Sequence, residues 1–337
     1  SAVTGVTTSR IARKRGLAKQ LTARLIANDA ADGAVIAGLG MFDQGFYNSL
    51  GFGTLPYVHR IKFDPATLQA DVSPRTPHRL SQDDWQQVHN NLRNRLQGHG
   101  SCCLIPSAVT RADMLWSDNG FGLGYFDEKT GELTHHFWAN AKDGHGPYII
   151  WKLTNRSPDA LLDLLGLLKS LADQVYTVQL AEPRHVQFQD LLKQPFRRRN
   201  ITKESKFENG MWSSAYQQLR ILDIESALQH THLATEPIRF NLTLEDPIER
   251  YLDTEAPWRG VGGDYVIELG PDSQAELGQS PSIPTLRASV GAFTRLWMGV
   301  RPATSLAITD RIAGPTLLLE RLDRALRLPR PVIDWDF

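Results

Sequence analysis

The spacing of hydrophobic residues changes several times over the first sixty positions of the chain. A β-branched run predicts a strand over residues 2–8, and leucines at helical spacing predict a helix over residues 17–30. A buried strand over residues 34–39, a short helix over 41–50 and a strand over 57–63 follow. Strands that alternate with helices predict an α/β unit with parallel strand pairing.

The rest of the chain divides into three segments of different character. Residues 64–81 contain three prolines and little periodicity, which predicts a linker. Residues 82–226 mix helices with short strands and predict a second α/β unit. Residues 227–337 begin with strands that alternate apolar and polar side chains, which is typical of an antiparallel sheet with one solvated face, and two helices follow. The predicted fold class is α/β followed by α+β.

Composition narrows the classes of protein that the chain can represent. Its 337 residues include 37 basic and 37 acidic side chains, a balance that argues against a general nucleic-acid or membrane-surface binder. No apolar run approaches the roughly 18 residues of a membrane span, and residues 1–15 lack the pattern of a signal peptide. The two cysteines, Cys102 and Cys103, are adjacent and cannot close an ordinary structural disulfide. These features predict a cytoplasmic protein without a membrane span or a nucleic-acid partner.

Histidine pairs are the first candidates for chemistry, and they favour a structural interpretation. His135 and His136 are adjacent, and His230 lies two residues before His232. No acidic residue or cysteine at useful spacing completes a ligand set around either pair. The sequence therefore predicts no metal site.

The segment between the first strand and the first helix carries the strongest chemical signal. In this basic segment, Gly16 lets the backbone approach a ligand closely, and Ala18 is too small to collide with one. The unpaired N–H groups at the start of the helix then form an anion site that suits a pyrophosphate. The alternative is a basic surface turn before an ordinary helix, and the short segment does not decide between the two by itself.

Two motifs give the chain a resemblance to a known family. The pattern R-x-x-G-x-A that ends at Ala18, after a β-branched strand, resembles the acetyl-CoA loop of Gcn5-related N-acetyltransferases. Residues 45–53, GFYNSLGFG, resemble the segment G-[IF]-Y-x-x-[FL]-G-[FY]-G of the Eis (enhanced intracellular survival) branch of that superfamily. Arg10 stands where that family usually has proline, so the loop shape is expected to differ in detail.

The resemblance implies tandem acetyltransferase-like (GNAT) mixed sheets followed by an α+β domain like sterol carrier protein 2 (SCP2). Residues 1–63 would be a partial acetyltransferase domain whose N-terminal elements are missing, and 64–81 the linker. Residues 82–226 would be the second, degenerate domain, and 227–337 the SCP2-like domain. Family members also imply a homo-oligomer, namely a hexamer.

The resemblance also implies an activity, namely acetyl-CoA-dependent acetylation of a primary amine by direct transfer without a metal. Tyr47 would be the proton donor, and the terminal carboxylate of Phe337 the proton acceptor. Asp334 and Asp336 would attract a cationic acceptor, such as an aminoglycoside or a polyamine. Without the family, a packed tyrosine and a frayed terminus are the simpler interpretations of Tyr47 and Phe337.

The resemblance also implies which residues contact acetyl-CoA. The pantetheine arm would pair with the strand edge at Val6, Thr7 and Thr8, and Phe42 and Asp43 would flank the thioester. The pyrophosphate would be held by the basic segment and the first helical turn, namely Arg13, Lys14, Arg15, Gly16, Leu17, Ala18 and Lys19. Two other functions stay open, a lipid- or sterol-binding carrier and an inactive scaffold that binds coenzyme A.

Overall fold

The computed structural model describes residues 1–195, 208–332 and 334–335. The described chain forms two compact units. Of the described residues, the first unit comprises 1–56 and 215–332, and the second comprises 57–214 with the tail residues Asp334 and Trp335. The second unit is therefore inserted, in sequence, between two parts of the first.

The N-terminal part of the first unit alternates strands and helices as predicted. Strand β1 is shorter than the predicted strand over residues 2–8, because Gly5 adopts a φ of 65° and turns the chain out of the extended conformation. The elements are β1 (Ala2–Val3), α1 (Leu17–Ala31), β2 (Ile36–Gly40), α2 (Gln44–Asn48) and β3 (Gly53–Thr54).

The second unit is built on a seven-stranded mixed sheet. Its elements are β4 (Val58–Phe63), β5 (His78–Leu80), α3 (Trp85–Arg93), α4 (Ser107–Leu115), β6 (Gly120–Phe126), β7 (Leu133–Ala141), β8 (Tyr148–Thr154), α5 (Pro158–Ser170), β9 (Val178–Ala181) and β10 (Gly210–Ser214). The strand order is β10-β4-β9-β8-β7-β6-β5, and only β8 and β9 run parallel.

Two expectations about this region differ from the structure. Strand β4 was expected to close the first unit, yet it pairs with β9 and β10 in the sheet of the second. The expected linker 64–81 contains a 3₁₀ turn at Pro65–Thr67, the fully buried Leu68 and strand β5. Prolines interrupt the periodicity of this segment without preventing its packing, which explains why its pattern resembled a linker.

The chain then returns to the first unit. This part contains β11 (Gln217–Ile221), α6 (Ile224–Gln229), β12 (Ile238–Glu245), β13 (Gly263–Leu269), β14 (Gln274–Leu277), β15 (Thr285–Ser289), α7 (Val290–Trp297), α8 (Ala303–Thr309), β16 (Ile312–Ala313) and α9 (Thr316–Ala325). Strand β11 was expected to lie within a second domain ending at residue 226. It instead completes the first sheet, whose order is β1-β2-β11-β3.

The remaining strands of the first unit form a five-stranded sheet in the order β14-β13-β12-β15-β16. The burial of β13 alternates, so the predicted sheet with one solvated face is confirmed there. The pairing is antiparallel except between β12 and β15. Helices α7 and α9 follow the strands of this sheet, where the sequence predicts two helices.

Helix α7 packs against β3 at a close approach of two glycines. A Cβ at Gly291 would lie 2.8 Å from the Phe52 carbonyl oxygen, and a Cβ at Gly53 would overlap the Gly291 carbonyl oxygen. Both contacts are shorter than side-chain carbons tolerate and involve backbone, which cannot swing aside. Glycine at these two positions is therefore required by the packing of the helix on the strand.

Gly291→Ala is expected to lower the free energy of unfolding by about 1–3 kcal/mol, because an added methyl group in a packed interface forces the backbone apart. Urea unfolding followed by circular dichroism measures the change. The control is Gly144→Ala, where an added Cβ meets nothing within 4 Å and φ is not left-handed. Equal stabilities of the two variants would contradict the close packing of α7 on β3.

Candidate active site

Two loops of the first unit lie at the carboxyl ends of its parallel strands, β1 and β2. β1 and β2 are parallel neighbours, with Val3 opposite Leu39. The loop after β1, residues 4–16, therefore emerges beside the loop after β2, residues 41–43. Ligands of open α/β sheets bind at the carboxyl ends of such parallel strands. Sheet topology alone thus brings the basic segment and the Tyr47 segment to the same edge.

The start of α1 presents backbone N–H groups that no side chain of the described residues caps. Gly16 is the N-cap residue, with a left-handed φ of 78°. Gln20 N donates to Gly16 O at 3.1 Å, so the amides of residues 17–19 precede the first bond of the helical ladder. A Cβ at Gly16 would meet no atom within 4 Å. The helix start is open to an anion.

The charges around this helix start also favour an anion. Arg13, Lys14 and Arg15 are exposed, and the first turn of α1 contains no acidic residue. Cations at the positive end of a helix dipole are each unfavourable by roughly 0.3–1 kcal/mol. Lys14 also adopts a left-handed φ of 62°, which is uncommon for a residue other than glycine. A bound anion would offset the electrostatic cost.

Tyr47 lies in α2 within a cluster of aromatic side chains. Its ring centroid is 4.8 Å from that of Phe46, 5.4 Å from that of Phe42 and 6.1 Å from that of Phe52, all edge-on. The side chain is 2% exposed, and burial raises the pKa of its hydroxyl above the ordinary value of 10.0. Among the described residues the hydroxyl has no hydrogen-bond partner. Tyr47 therefore keeps its proton at neutral pH and has it available for a ligand.

Asp43 fixes the start of the helix that carries Tyr47. Its carboxylate accepts a hydrogen bond from Phe46 N at 2.7 Å, as an N-cap residue does. Phe42, directly before it, is 68% exposed. Both predicted thioester-flanking residues thus lie in the loop at the carboxyl end of β2.

Strand β11 holds the segment after Tyr47 through two side chains that sequence reasoning missed. Gln218 Nε2 donates to Asn48 Oδ1 at 2.6 Å and to Thr54 Oγ1 at 3.0 Å. Arg220, two positions on and therefore on the same face of the strand, donates through Nη1 to Leu50 O. Both side chains are fully buried. A charged residue within an apolar alternating run was the one available signal for this arrangement.

Lys19 links α1 to α2 directly. Its ammonium lies 5.4 Å from the ring centroid of Phe46 and 5.4 Å from that of Tyr251. Ammonium groups at this distance are attracted to aromatic faces. Lys19, the last of the predicted pyrophosphate ligands along the chain, therefore contacts the aromatic cluster around Tyr47.

The other predicted contact residues occupy more varied positions. Val6, Thr7 and Thr8 follow the end of β1 and pair with no strand in the described part of the chain. Asp334 belongs to the second unit, where Arg95 and Arg184 form ion pairs with its carboxylate. These pairs offset its charge, in contrast to the free acidic group that the sequence suggested. Asp336 and Phe337 lie outside the described residues.

Metal-ligand clusters and membrane-spanning helices are both absent from the described residues. Across residues 1–195, 208–332 and 334–335, no group of three or more histidine, cysteine or acidic side chains is arranged to hold a metal ion. No helix in that part of the chain is both long and apolar enough to cross a membrane.

Comparisons with known proteins agree with this architecture. The chain is 22% identical over 346 residues to the N-acetyltransferase Eis of Mycobacterium bovis and to that of Mycobacterium tuberculosis, covering 95% of this chain and 76% of each relative. No protein-family model matches the sequence.

Solved structures share the fold. A GCN5-related N-acetyltransferase from Anabaena variabilis superimposes with a TM-score of 0.76 at 13% identity, covering 99% of this chain and 80% of that one. Eis1 from Mycobacterium abscessus gives a TM-score of 0.72 at 15% identity, covering 98% and 80%. The chain therefore has the mixed α/β fold of these proteins, and the predicted fold class is confirmed.

Proposed function

We propose that the protein is an acetyl-CoA-dependent N-acetyltransferase that acts on a primary amine. The observation that carries the proposal is the open, basic start of α1 at the same sheet edge as Tyr47. The similarity of the chain, over 95% of its length, to proteins named N-acetyltransferase supports the same reaction class. Acetyl-CoA would supply the activated acetyl group.

In this proposal the first unit binds the coenzyme. The amides of residues 17–19 and the side chains of Arg13, Lys14 and Arg15 hold the pyrophosphate, since a helix N-terminus and cations both favour phosphate. The backbone of residues 6–8, which is free of strand pairing, would pair with the pantetheine arm. Phe42 and Asp43 would flank the thioester end.

Tyr47 is the proposed proton donor to the departing thiolate. Its raised pKa keeps the phenol protonated, and its hydroxyl is not committed to another described side chain. The proposed proton acceptor is the terminal carboxylate of Phe337, which would take a proton from the amine before or during attack on the thioester. A polyamine or an aminoglycoside is the proposed acceptor class, by resemblance.

The proposal extends to the rest of the chain. The seven-stranded unit would be the degenerate acetyltransferase-like domain, and the five-stranded sheet with its helices would be the SCP2-like domain. The assembly would be a hexamer, which sedimentation velocity measures directly.

The test of the function has two readouts. Acetyl-CoA at 100 times its Kd should stabilise the folded chain by about 2.7 kcal/mol, seen as a raised melting temperature. Mass spectrometry should then detect spermidine or kanamycin heavier by one acetyl group. It avoids thiol reagents, which would also react with the free Cys102 and Cys103. No thermal shift together with uptake of a fluorescent fatty acid would favour a lipid carrier, and a shift without turnover would favour a scaffold.

Gly16→Val is expected to abolish most of the acetyl-CoA-dependent thermal shift. A β-branched residue at a φ of 78° forces the turn to rearrange, which moves the amides that face the pyrophosphate. The control is Gly33→Val at the other end of α1, where φ is 94° and an added Cβ also meets open space. That variant should lose similar stability but keep the shift. Equal shifts in the two variants would remove the helix start from the proposed site.

A further inference from the structure

The ammonium group of Lys19 lies beside two aromatic rings that come from distant parts of the first unit. Its Nζ is 5.4 Å from the ring centroid of Phe46, in α2, and 5.4 Å from that of Tyr251. Tyr251 ends the 3₁₀ turn Pro247–Tyr251, which follows β12. Both rings are half-buried, and both pack against the apolar core that contains Tyr47. A primary ammonium and two aromatic rings therefore meet near the proposed proton donor.

Aromatic rings are the partners that the structure gives to this ammonium. Within the described part of the chain, the Lys19 side chain forms no ion pair and no hydrogen bond. Arg24, the next cation of α1, instead forms an ion pair of 2.7 Å with Asp253. An ammonium within about 6 Å of a ring centroid is attracted by the electrons of the ring face. The pair Phe46 and Tyr251 is therefore a cation site that already contains an amine of the chain itself.

Lys19 has a second potential partner at the start of α1. Its backbone N–H is one of the three that precede the first bond of the helical ladder. Helical side chains lean toward the N-terminus of their helix, so this ammonium can also reach toward the position proposed for the pyrophosphate. A charge-assisted hydrogen bond to phosphate is stronger than attraction to a half-exposed ring. A bound pyrophosphate should therefore draw Lys19 away from the two rings.

We propose that Phe46 and Tyr251 bind the primary ammonium of the acceptor, and that Lys19 occupies this site until the coenzyme binds. The proposal rests on the proposed function, in which the pyrophosphate lies at the start of α1 and the acceptor is a cationic amine. Lys19 carries the same chemical group as such an acceptor, so the two ammonium groups compete for the rings. Coenzyme and amine then bind in order, with the coenzyme first.

The aromatic site is tested first without any coenzyme, by titrating the full chain with spermidine in a calorimeter. Lys19→Ala should bind spermidine about tenfold more tightly than the wild type, because an occupied site lowers the apparent affinity by the fraction that is available. The matched control is Lys14→Ala, which removes the same charge from the same segment at an exposed position away from the rings. It should change the affinity less than twofold.

Three results of this titration would overturn the site. They are equal affinities of Lys19→Ala and the wild type, equal tightening in Lys19→Ala and Lys14→Ala, and no heat of binding in any of the three proteins. The second result would mean that spermidine responds to net charge alone. Adding Tyr251→Leu to Lys19→Ala should weaken binding again, since one of the two rings is lost. Circular dichroism confirms that each variant is folded.

The exchange of Lys19 is tested by repeating the titration with saturating coenzyme A, which lacks the acetyl group and so prevents turnover. In the wild type the Kd for spermidine should fall about tenfold, and spermidine should lower the Kd for coenzyme A by the same factor. In Lys19→Ala both factors should be close to one. Equal factors in the two proteins would overturn the exchange. No binding of coenzyme A to the wild type would instead refute the proposed function, while the titration without coenzyme still decides the aromatic site.

Discussion

Tyr47→Phe is expected to lower turnover by about 10²–10⁴-fold, the usual contribution of a positioned proton donor. The variant removes only the hydroxyl, so the aromatic contacts with Phe42, Phe46 and Phe52 persist. The acetyl-CoA-dependent thermal shift should therefore be unchanged. Initial rates of amine acetylation, measured by mass spectrometry at saturating acetyl-CoA, give the decrease in kcat.

The pH dependence of the wild type provides a second check on Tyr47. Burial raises the pKa of its hydroxyl above 10.0, so the group stays protonated as pH rises to that value. Turnover should consequently show no loss from ionisation of a tyrosine below about pH 10.

The matched control for Tyr47 is Tyr265→Phe. Tyr265 is also a buried tyrosine of the first unit, and its hydroxyl donates to Val261 O at 3.0 Å. Losing that bond should cost about 1–3 kcal/mol of stability through the unsatisfied carbonyl but leave turnover at wild-type level. Turnover of Tyr47→Phe within twofold of the wild type would remove Tyr47 as the proton donor.

Local pattern was sufficient to locate most helices and strands, but it did not identify which face of α1 is buried. Leu17, Leu21 and Leu25 revealed the helix by their spacing, yet they are 40%, 61% and 49% exposed. The buried face instead carries smaller residues, Ala23 and Ala27, beside Ile26. The periodicity of hydrophobic residues indicates that a helix has an apolar face and a polar face. Which face packs inward depends on the neighbouring elements, and those are not encoded within the helix itself.

Long-range pairing explains why the compact units of the structure divide at other residues than the predicted domains. β11 pairs with β2 across about 180 residues of sequence, and β4 pairs with β9 and β10 of the inserted unit. A short strand carries no information in its own sequence about which distant strand it joins. The predicted domain boundaries follow changes of composition, whereas the two compact units divide after residues 56 and 214.

The candidate site was predictable where it depends on local sequence. Gly16 in the sequence predicted a tight turn before α1 and unpaired N–H groups at the start of the helix. In the structure Gly16 is left-handed, and no described side chain caps the helix. The supports of that site were not predictable, because Gln218 and Arg220 reach the Tyr47 segment from another strand. The same holds for Asp334, whose partner Arg95 lies 239 residues earlier.

Arg220 joins the Tyr47 segment to the rest of the first unit. Its guanidinium is fully buried, donates to Leu50 O, and forms an ion pair of 2.6 Å with Asp246, whose side chain is 3% exposed. The guanidinium carbon also lies 5.1 Å from the ring centroid of Trp258. Burial lowers the pKa of Arg220, and the carboxylate of Asp246 opposes that shift.

Arg220→Met is expected to lower the free energy of unfolding of the first unit by about 3–5 kcal/mol, because it leaves the buried carboxylate of Asp246 without its cation. Urea unfolding measures the loss. Arg220→Met combined with Asp246→Asn should recover part of it, since the neutral amide removes the unpaired buried charge. Its oxygen can still accept one of the two backbone bonds, from Ile248 N, 3.1 Å from Oδ1, or from Val261 N, 3.0 Å from Oδ2.

The exposed pair Arg259 and Glu249 is the control for this effect. Their closest atoms are 2.9 Å apart, but the two side chains are 45% and 61% exposed. Arg259→Met should therefore cost less than about 1 kcal/mol. A similar small loss in Arg220→Met would contradict a structural role for the buried pair. A large loss of stability, together with a lower kcat in the folded fraction, would mean that the position of Tyr47 depends on β11. The chain forms that strand only after the whole inserted unit.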